Sequence, residues 1–312
     1  MIVTVTLNPS LDEWIELPAL RLGALNRADG FSRYPGGKGI NVSRVVHELG
    51  ESTRAFGFAG GEDGLILREL LNRLNIPHTL VPIPGSTRNN YKIRTRHPRA
   101  LTELNTAGPS VPAAALRRLE RALIRGLRGV PAVVLSGSVP PGVPATIYRR
   151  WILALRRLGL RAVLDASGLA LRHGLSARPW LIKPNRAEAE ALLDRRIRRP
   201  VDAVRAARQL VARGAELAVL SLGQDGAVLA AGHPAACWFA RPPKVAVDSA
   251  VGAGDSLVGG FLIGWRRTRS IVEGLRWGVA SGTATAMTRG TELCHRRDVV
   301  RLVRRVVIKP VG

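Results

Sequence analysis

The run Val251-Gly252-Ala253-Gly254-Asp255-Ser256 sets small residues and one carboxylate ahead of an apolar helical stretch, Leu257–Trp265. Small residues let backbone N–H groups come close to an anion, and the dipole of the following helix favours negative charge there. A transferring phosphoryl group needs such a cradle, because its transition state is stabilised mainly by positioning and electrostatics. A carboxylate at the end of the cradle, Asp255, can accept the proton of an attacking hydroxyl. The same string fits a plain glycine turn with Asp255 as the helix N-cap equally well.

Three further clusters carry chemical potential. Pro35-Gly36-Gly37-Lys38-Gly39-Ile40-Asn41 also precedes a helical pattern. It is not a Walker A loop, since Gly39 follows the lysine where Ser or Thr would bind magnesium. Its glycines would let backbone touch a sugar, with Lys38 and Asn41 supplying charge and hydrogen bonds; the alternative is a tight helix entry with Lys38 merely exposed. In Lys183-Pro184-Asn185-Arg186-Ala187-Glu188, Asn185 and Glu188 share a face if a helix begins there. That suits water-mediated contact with a hydrated Mg²⁺, although such a pair also makes an ordinary helix cap. Ser221-Leu222-Gly223-Gln224-Asp225-Gly226 could line a nucleotide pocket or simply turn the chain.

Other chemistries find little support. The six histidines form no HExxH or similar pair, no G-x-S-x-G elbow occurs, and Asn8-Pro9 stands where a dinucleotide-binding glycine loop would follow the first strand. Cys237 and Cys294 make neither a metal spacing nor a disulfide framework. A formal net charge of +24 invites a nucleic-acid reading. Yet only five of the 47 basic residues are lysines, and the arginines are dispersed in pairs such as Arg117-Arg118 and Arg304-Arg305, with few aromatics between them. Solvated helix faces explain them better than a nucleic-acid surface.

The elements that must position these residues alternate. Strand-like runs at Ile2–Leu7, Val133–Ser136, Ala162–Asp165, Trp180–Lys183 and Leu217–Leu222 are separated by helical patterns at Val42–Leu49, Leu65–Leu74, Ala113–Leu127, Ala145–Leu158 and Val201–Arg213. Such alternation predicts a mainly parallel sheet covered on both faces, with ligands beyond the carboxyl ends of the strands. The polar stretches there are Asn8-Pro9-Ser10, Ser136-Gly137-Ser138, Asp165-Ala166-Ser167, Lys183-Pro184-Asn185 and Ser221-Leu222-Gly223. Trp14–Leu22, Ala28–Tyr34 and Asn90–Thr106 look like strands without intervening helices, read as a small β-rich flap built from separated pieces of chain, with ordinary surface hairpins as the nearly equal alternative. Every long apolar stretch is interrupted, and Met1–Leu7 reads as a strand in place of a signal peptide, so a cytoplasmic location is expected.

Taken together and in this order, the clusters resemble the ribokinase-like (PfkB) family of sugar kinases, from Thr6–Asp12 to about Gly290–Cys294. The resemblance is to the phosphofructokinase group, comprising 1-phosphofructokinase, tagatose-6-phosphate kinase and the minor bacterial 6-phosphofructokinase. It is carried by LNPSLD (7–12), GGKGINVSR (36–44), STRNNYKI (86–93), TELNTAGP (102–109), SGSVPPG (136–142) and KPNRAE (183–188). It implies a single α/β domain over 1–312, a ribokinase-like three-layer sandwich with a mainly parallel sheet. A β-sheet lid would come from roughly 12–34 and 88–106 and close over the sugar, with a homodimer through that lid. ATP and Mg²⁺ are the implied cofactors, and a ketohexose monophosphate the implied acceptor. Asp255 would be the base, with the amides of Gly252, Ala253 and Gly254 as anion hole. Asp12, Gly37, Lys38 and Asn41 would hold the sugar, and Arg88, Asn90 and Ser138 would lie near its phosphate, with Arg27 and Lys92 as further candidates. Lys183, Asn185, Ser221, Gly223 and Gly226 would line the nucleotide site, and Asn185 and Glu188 would face the metal through water. One departure stands out: Ala250 replaces the threonine usual two residues before the first glycine of the GAGD run. Fructose 1-phosphate and fructose 6-phosphate fit equally. A tagatose-6-phosphate kinase, a kinase of unphosphorylated sugar or nucleoside, and a non-catalytic basic nucleic-acid-associated protein are the alternatives.

Overall fold

A computed structural model describes residues 1–311. The chain enters the main sheet with β1 (Ile2–Thr6) and leaves it for β2 (Ser10–Leu17) and β3 (Gly30–Gly36). It returns through α1 (Lys38–Glu48), β4 (Thr53–Ala59), α2 (Gly61–Arg73) and β5 (His78–Pro82), then departs again into the hairpin β6 (Arg88–Thr95) and β7 (Ala100–Asn105). Regular alternation follows: α3 (Ala113–Arg125), β8 (Ala132–Ser136), α4 (Ile147–Arg157), β9 (Arg161–Asp165), α5 (Gly168–Leu175), β10 (Leu181–Ile182), α6 (Arg186–Leu193), α7 (Pro200–Ala212) and β11 (Leu217–Ser221). The last part comprises β12 (Ala227–Gly232), β13 (Ala235–Arg241), α8 (Ala253–Thr268), α9 (Ile271–Ala286), α10 (Arg296–Val303) and β14 (Val307–Pro310).

The main sheet has the order β14-β13-β12-β11-β10-β9-β8-β1-β4-β5. Neighbours from β5 across to β11 run parallel, whereas β12, β13 and β14 add on antiparallel. The central strands are mostly apolar, as burial on both faces requires: every residue of β1 and β8 is buried, and the polar ones among them are Thr4, Thr6 and Ser136. One face packs Val3, Val5, Phe56 and Leu135 against Leu119, Tyr148 and Ile152 of α3 and α4. The other packs Ile2, Val134 and Val163 with Val42 and Val45 of α1 and with Val258, Phe261 and Ala280 of α8 and α9. Helices on both faces of the sheet make the three layers.

α8 is buried from Asp255 to Trp265, and it meets α9 backbone to backbone. A Cβ added at Gly260 would lie 2.5 Å from the Trp277 carbonyl oxygen, and one at Gly278 would lie 2.7 Å from that of Leu257. No side-chain layer separates the two helices at these points, so the mounting of α8 is rigid.

The second sheet has the order β3-β2-β6-β7, with β2 and β6 parallel and both outer pairs antiparallel. Its strands differ from the runs expected in two respects. The first stops at Leu17 because Pro18 has no N–H to continue the ladder. Asn90–Thr106 is a hairpin turned over Arg96–Arg99, not one strand. Among the described residues no helix is long and apolar enough to cross a membrane.

Candidate active site

The site gathers where strands β1, β8, β9, β10 and β11 end. Thr6 registers with Ser136, and Ser136 with Asp165, so three polar side chains stand in a row beneath the segment that opens α1. Gly37 is the N-cap of α1, with a positive φ of 104°, and a Cβ there would meet Thr6. This close approach seats the first turn of α1 on the sheet. Gly252 does the equivalent for α8 at φ 77°, so the chain turns sharply and Asp255 falls in the first helical turn, 7 % exposed.

The two helix starts meet through side chains. Asn41 Nδ2 donates to Asp255 Oδ2 at 2.8 Å. Arg44, one turn along α1, donates to Asn41 Oδ1 at 3.1 Å and to the Pro35 and Thr291 carbonyls. The guanidinium therefore fixes which end of the Asn41 amide faces Asp255. Lys38 Nζ donates to Asp165 Oδ1 at 2.9 Å and lies 3.6 Å from Glu188 Oε1, while Lys183 Nζ lies 3.4 Å from the same Asp165 oxygen. Burial pushes the Asp255 carboxyl up, the nearby Asp165 carboxylate adds to this, and Lys38, Asn41 and Lys183 hold it down; it settles at about 6. Burial also opposes charge on Asp165, but the Lys183 and Lys38 ammonium groups outweigh it and hold that carboxyl below its ordinary range. Lys38 likewise loses hydration, yet Asp165, Glu188 and Asp255 keep it charged with its pKa raised. A carboxyl poised near neutrality beside a fixed positive array is equipped to take a proton.

The lid supplies a second polar cluster. Asp12 Oδ1 accepts from Ser10 Oγ at 3.0 Å and Asn90 Nδ2 at 3.1 Å, and Lys92 Nζ lies 3.8 Å from Asp12 Oδ2. Arg88 donates to the Asn8 carbonyl at 3.2 Å, to Asn90 Oδ1 at 3.1 Å and to the Thr106 carbonyl. Asn8 Nδ2 in turn donates to Ser138 Oγ at 3.0 Å, which ties the lid's base to the end of β8. The structure thus brings Asp12, Arg88, Asn90 and Lys92 into one group, joined to Ser138 through Asn8. Arg27 is not part of it: it sits exposed between β2 and β3, without a side-chain hydrogen bond or ion pair among the described residues.

Asn185 and Glu188 cap α6 reciprocally: Asn185 Oδ1 accepts from the Glu188 N–H at 2.8 Å, and Glu188 Oε2 accepts from the Asn185 N–H at 2.9 Å. This is a capping box. Glu188 keeps Oε1 free of that box, turned toward Lys38. Asn185 bridges to Ser221, and the turn Gly223–Asp225 follows, with positive φ at Gly223 (64°) and Gly226 (107°). At Gly226 a Cβ would strike the Ala240 carbonyl, so the turn needs glycine.

The donors fit an Mg²⁺ that arrives with phosphates, not a protein cage. Among the described residues no three His, Cys, Asp or Glu side chains cluster to hold a metal, but Asp165 Oδ2 is buried with no hydrogen-bond partner and Glu188 Oε1 lies nearby on Lys38. One or two carboxylates beside phosphate oxygens and water are what Mg²⁺ commonly takes. Ala250 is exposed, and the neighbouring Ser249 hydroxyl accepts from the Val251 N–H at 3.3 Å, stabilising the loop's own turn.

Asp165 and Arg44 were not among the residues singled out by sequence. Asp165 had a signal, standing in a polar stretch at a strand end; Arg44 lay inside the GGKGINVSR string with nothing to mark it as the residue that orients Asn41.

The profile described as "pfkB family carbohydrate kinase" matches residues 5–297. The chain belongs to the PfkB family of carbohydrate kinases. It is 38 % identical over 295 residues to the 1-phosphofructokinase of Bacillus subtilis (strain 168), covering 94 % of this chain and 95 % of that one. It is 37 % identical over 306 residues to the ATP-dependent 6-phosphofructokinase isozyme 2 of Mycobacterium tuberculosis, covering 96 % and 88 %. The crystal structure of the phosphofructokinase-2 from Escherichia coli in complex with substrates and products superposes with a TM-score of 0.92 at 34 % identity, covering 97 % of this kinase and 98 % of that chain. A carbohydrate kinase needs a base, an anion hole and a polar acceptor site.

Proposed function

We propose that the protein transfers the γ-phosphoryl group of ATP to a primary hydroxyl of a ketohexose monophosphate, fructose 1-phosphate or fructose 6-phosphate, giving fructose 1,6-bisphosphate. The observation that carries the reading is Asp255: a buried carboxyl raised to about 6, held by Asn41 at the N-terminus of α8. Asp255 takes the proton as the sugar oxygen bonds to the γ-phosphorus; the bond to the β-phosphate oxygen breaks and ADP leaves. The amides of Gly252, Ala253 and Gly254 face the charge developing on the transferred group. Lys38 and Lys183 add positive charge, and Asn185, Ser221, Gly223 and Gly226 flank the nucleotide. Mg²⁺, when bound with the nucleotide near Asp165, Glu188 and Asn185, offsets phosphate charge. Arg88, whose planar fork suits a phosphate, receives the acceptor's existing phosphate together with Asn90 and Ser138, while Asp12, Gly37 and Asn41 hold the sugar. The names of the relatives support a fructose phosphate as acceptor.

A coupled ADP-release assay with fructose 1-phosphate, fructose 6-phosphate, tagatose 6-phosphate, fructose and adenosine tests this. Turnover with either fructose phosphate is expected; turnover with fructose or adenosine alone, or with none of the five, refutes it. Leu22, Leu25, Phe31 and Leu104 of the lid region are exposed, and we propose that they pair two copies through their lids. Sedimentation should then give a dimer that Phe31→Asp weakens.

A further inference from the structure

Side chains alternate along a strand, so Asp12, Trp14 and Glu16 of β2 share one lid face with Arg88, Asn90, Lys92 and Arg94 of β6. The register makes them direct neighbours: Asp12 opposite Asn90, Trp14 opposite Lys92, Glu16 opposite Arg94. One end of this face is the sugar cluster. The other, about 13 Å along the strands, is tied to the body of the protein. Arg94 grips Asp248 with both terminal nitrogens, at 2.5 and 2.6 Å, and Arg99 of the β6–β7 turn lies 3.6 Å from the same carboxylate. Asp248 stands in the segment leading into the Gly252 turn, and its own N–H donates to the Ala286 carbonyl at the end of α9 at 2.8 Å. Beside it, Arg289, just beyond α9, forks onto Glu16, which also accepts from Trp14 Nε1 at 3.0 Å. Exposed pairs contribute little, but Arg94 and Asp248 are only 19 % and 29 % exposed and meet as fork on fork.

We propose that Arg94 and Asp248, backed by Glu16–Arg289, are positioning residues that lock the sugar-binding face of the lid to the segment carrying the phosphate turn, so that nucleotide use depends on how the sugar is seated. The two strands act as a lever, with acceptor ligands at one end and the flank of the Gly252–Asp255 turn at the other. This rests on the kinase reading of that turn. Neither residue faces a reacting atom, so the effect falls on substrate affinity and not on the chemical step.

The test uses the full chain and two kinds of measurement. In steady-state assays with fructose 1-phosphate or fructose 6-phosphate, Arg94→Ala and Asp248→Ala should each raise KM for the sugar phosphate and for ATP by at least about fivefold, with kcat within about twofold. The double variant should be no worse than the poorer single, because either single change already breaks the pair. Hydrogen exchange on ligand-free protein should be faster across 246–252 in Arg94→Ala. Unchanged KM for ATP, additive single effects, or unchanged exchange in that segment would overturn the proposal. If the wild type turns over neither sugar phosphate, the proposed reaction fails, and the exchange measurement still decides whether the lid holds this segment.

Discussion

Replacing Asp255 by Asn removes a charge while keeping the shape, and the structure gives the sign and size of the result. Burial first, and the Asp165 carboxylate second, raise the Asp255 carboxyl from its ordinary 3.8 to about 6. Between those values the unfolded chain has released a proton that the folded chain still holds. Stability contributed by this group therefore falls as pH rises from about 4 to about 6, and above 6 the whole penalty applies. At 1.36 kcal/mol per pH unit the penalty amounts to about 3 kcal/mol. An amide avoids it, because Asn can still accept from Asn41 Nδ2 through its carbonyl oxygen. Asp255→Asn should therefore be more stable than wild type by about 1–3 kcal/mol in denaturant titrations at pH 7.5, with the gain vanishing near pH 4. Turnover should fall by at least about 10²–10⁴-fold, and in the wild type kcat/KM should rise through about pH 6. A variant that is less stable at pH 7.5, that gains equally at both pH values, or that retains turnover would refute both the burial argument and the assignment of Asp255 as base.

Arg44→Ala frees the Asn41 amide to rotate; kcat should drop about tenfold, with KM for sugar little changed, and the pH midpoint of activity should climb because the Asn41 bond helps hold Asp255 down. Lys38→Met removes a positive charge that lowers the Asp255 pKa, so the midpoint of kcat/KM against pH should move above 6; a downward move would contradict the electrostatic account. Ala250→Thr should raise activity by returning a hydroxyl to the flank of the phosphate turn, as initial rates at limiting ATP would reveal.

The parallel half of the fold was legible because strands buried on both faces must be mostly apolar runs, as at Val133, Val134 and Leu135, and the intervening helices carry one polar side. The antiparallel extension was not. Ala227–Gly232 and Ala235–Arg241 are rich in alanine, which favours strands poorly, and only their place at the edge of an existing sheet makes them pair. α9 escaped for a related reason: it is buried along much of its length, so its Gly, Thr and Ala residues show no amphipathic period. At the site, strand ends and glycine turns named Lys38, Asn41 and Asp255, while the lid residues followed from the resemblance to the sugar-kinase family. What spacing could not supply was the pairing of distant side chains. Arg44 on Asn41, Asp165 between two lysines and Arg94 on Asp248 all depend on which elements come to lie side by side. Asn185 and Glu188 form the helix cap that the motif allowed, and the box leaves one Glu188 oxygen beside Lys38.

The contact of α8 with α9 has a consequence for inheritance. Because backbone touches backbone at Gly260 and Gly278, even a methyl group there would push α8 outward and carry its first turn with it. Damaging substitutions should therefore concentrate along a seam that meets no substrate, where loss of activity would arise in a chain that still folds. Dispersed surface arginines such as Arg117 and Arg304, which make no side-chain hydrogen bond or ion pair among the described residues, can by contrast drift freely. Genetic variation in this chain would be tolerated according to how stiffly each position is coupled to the start of α8, more than by its distance from the reacting atoms.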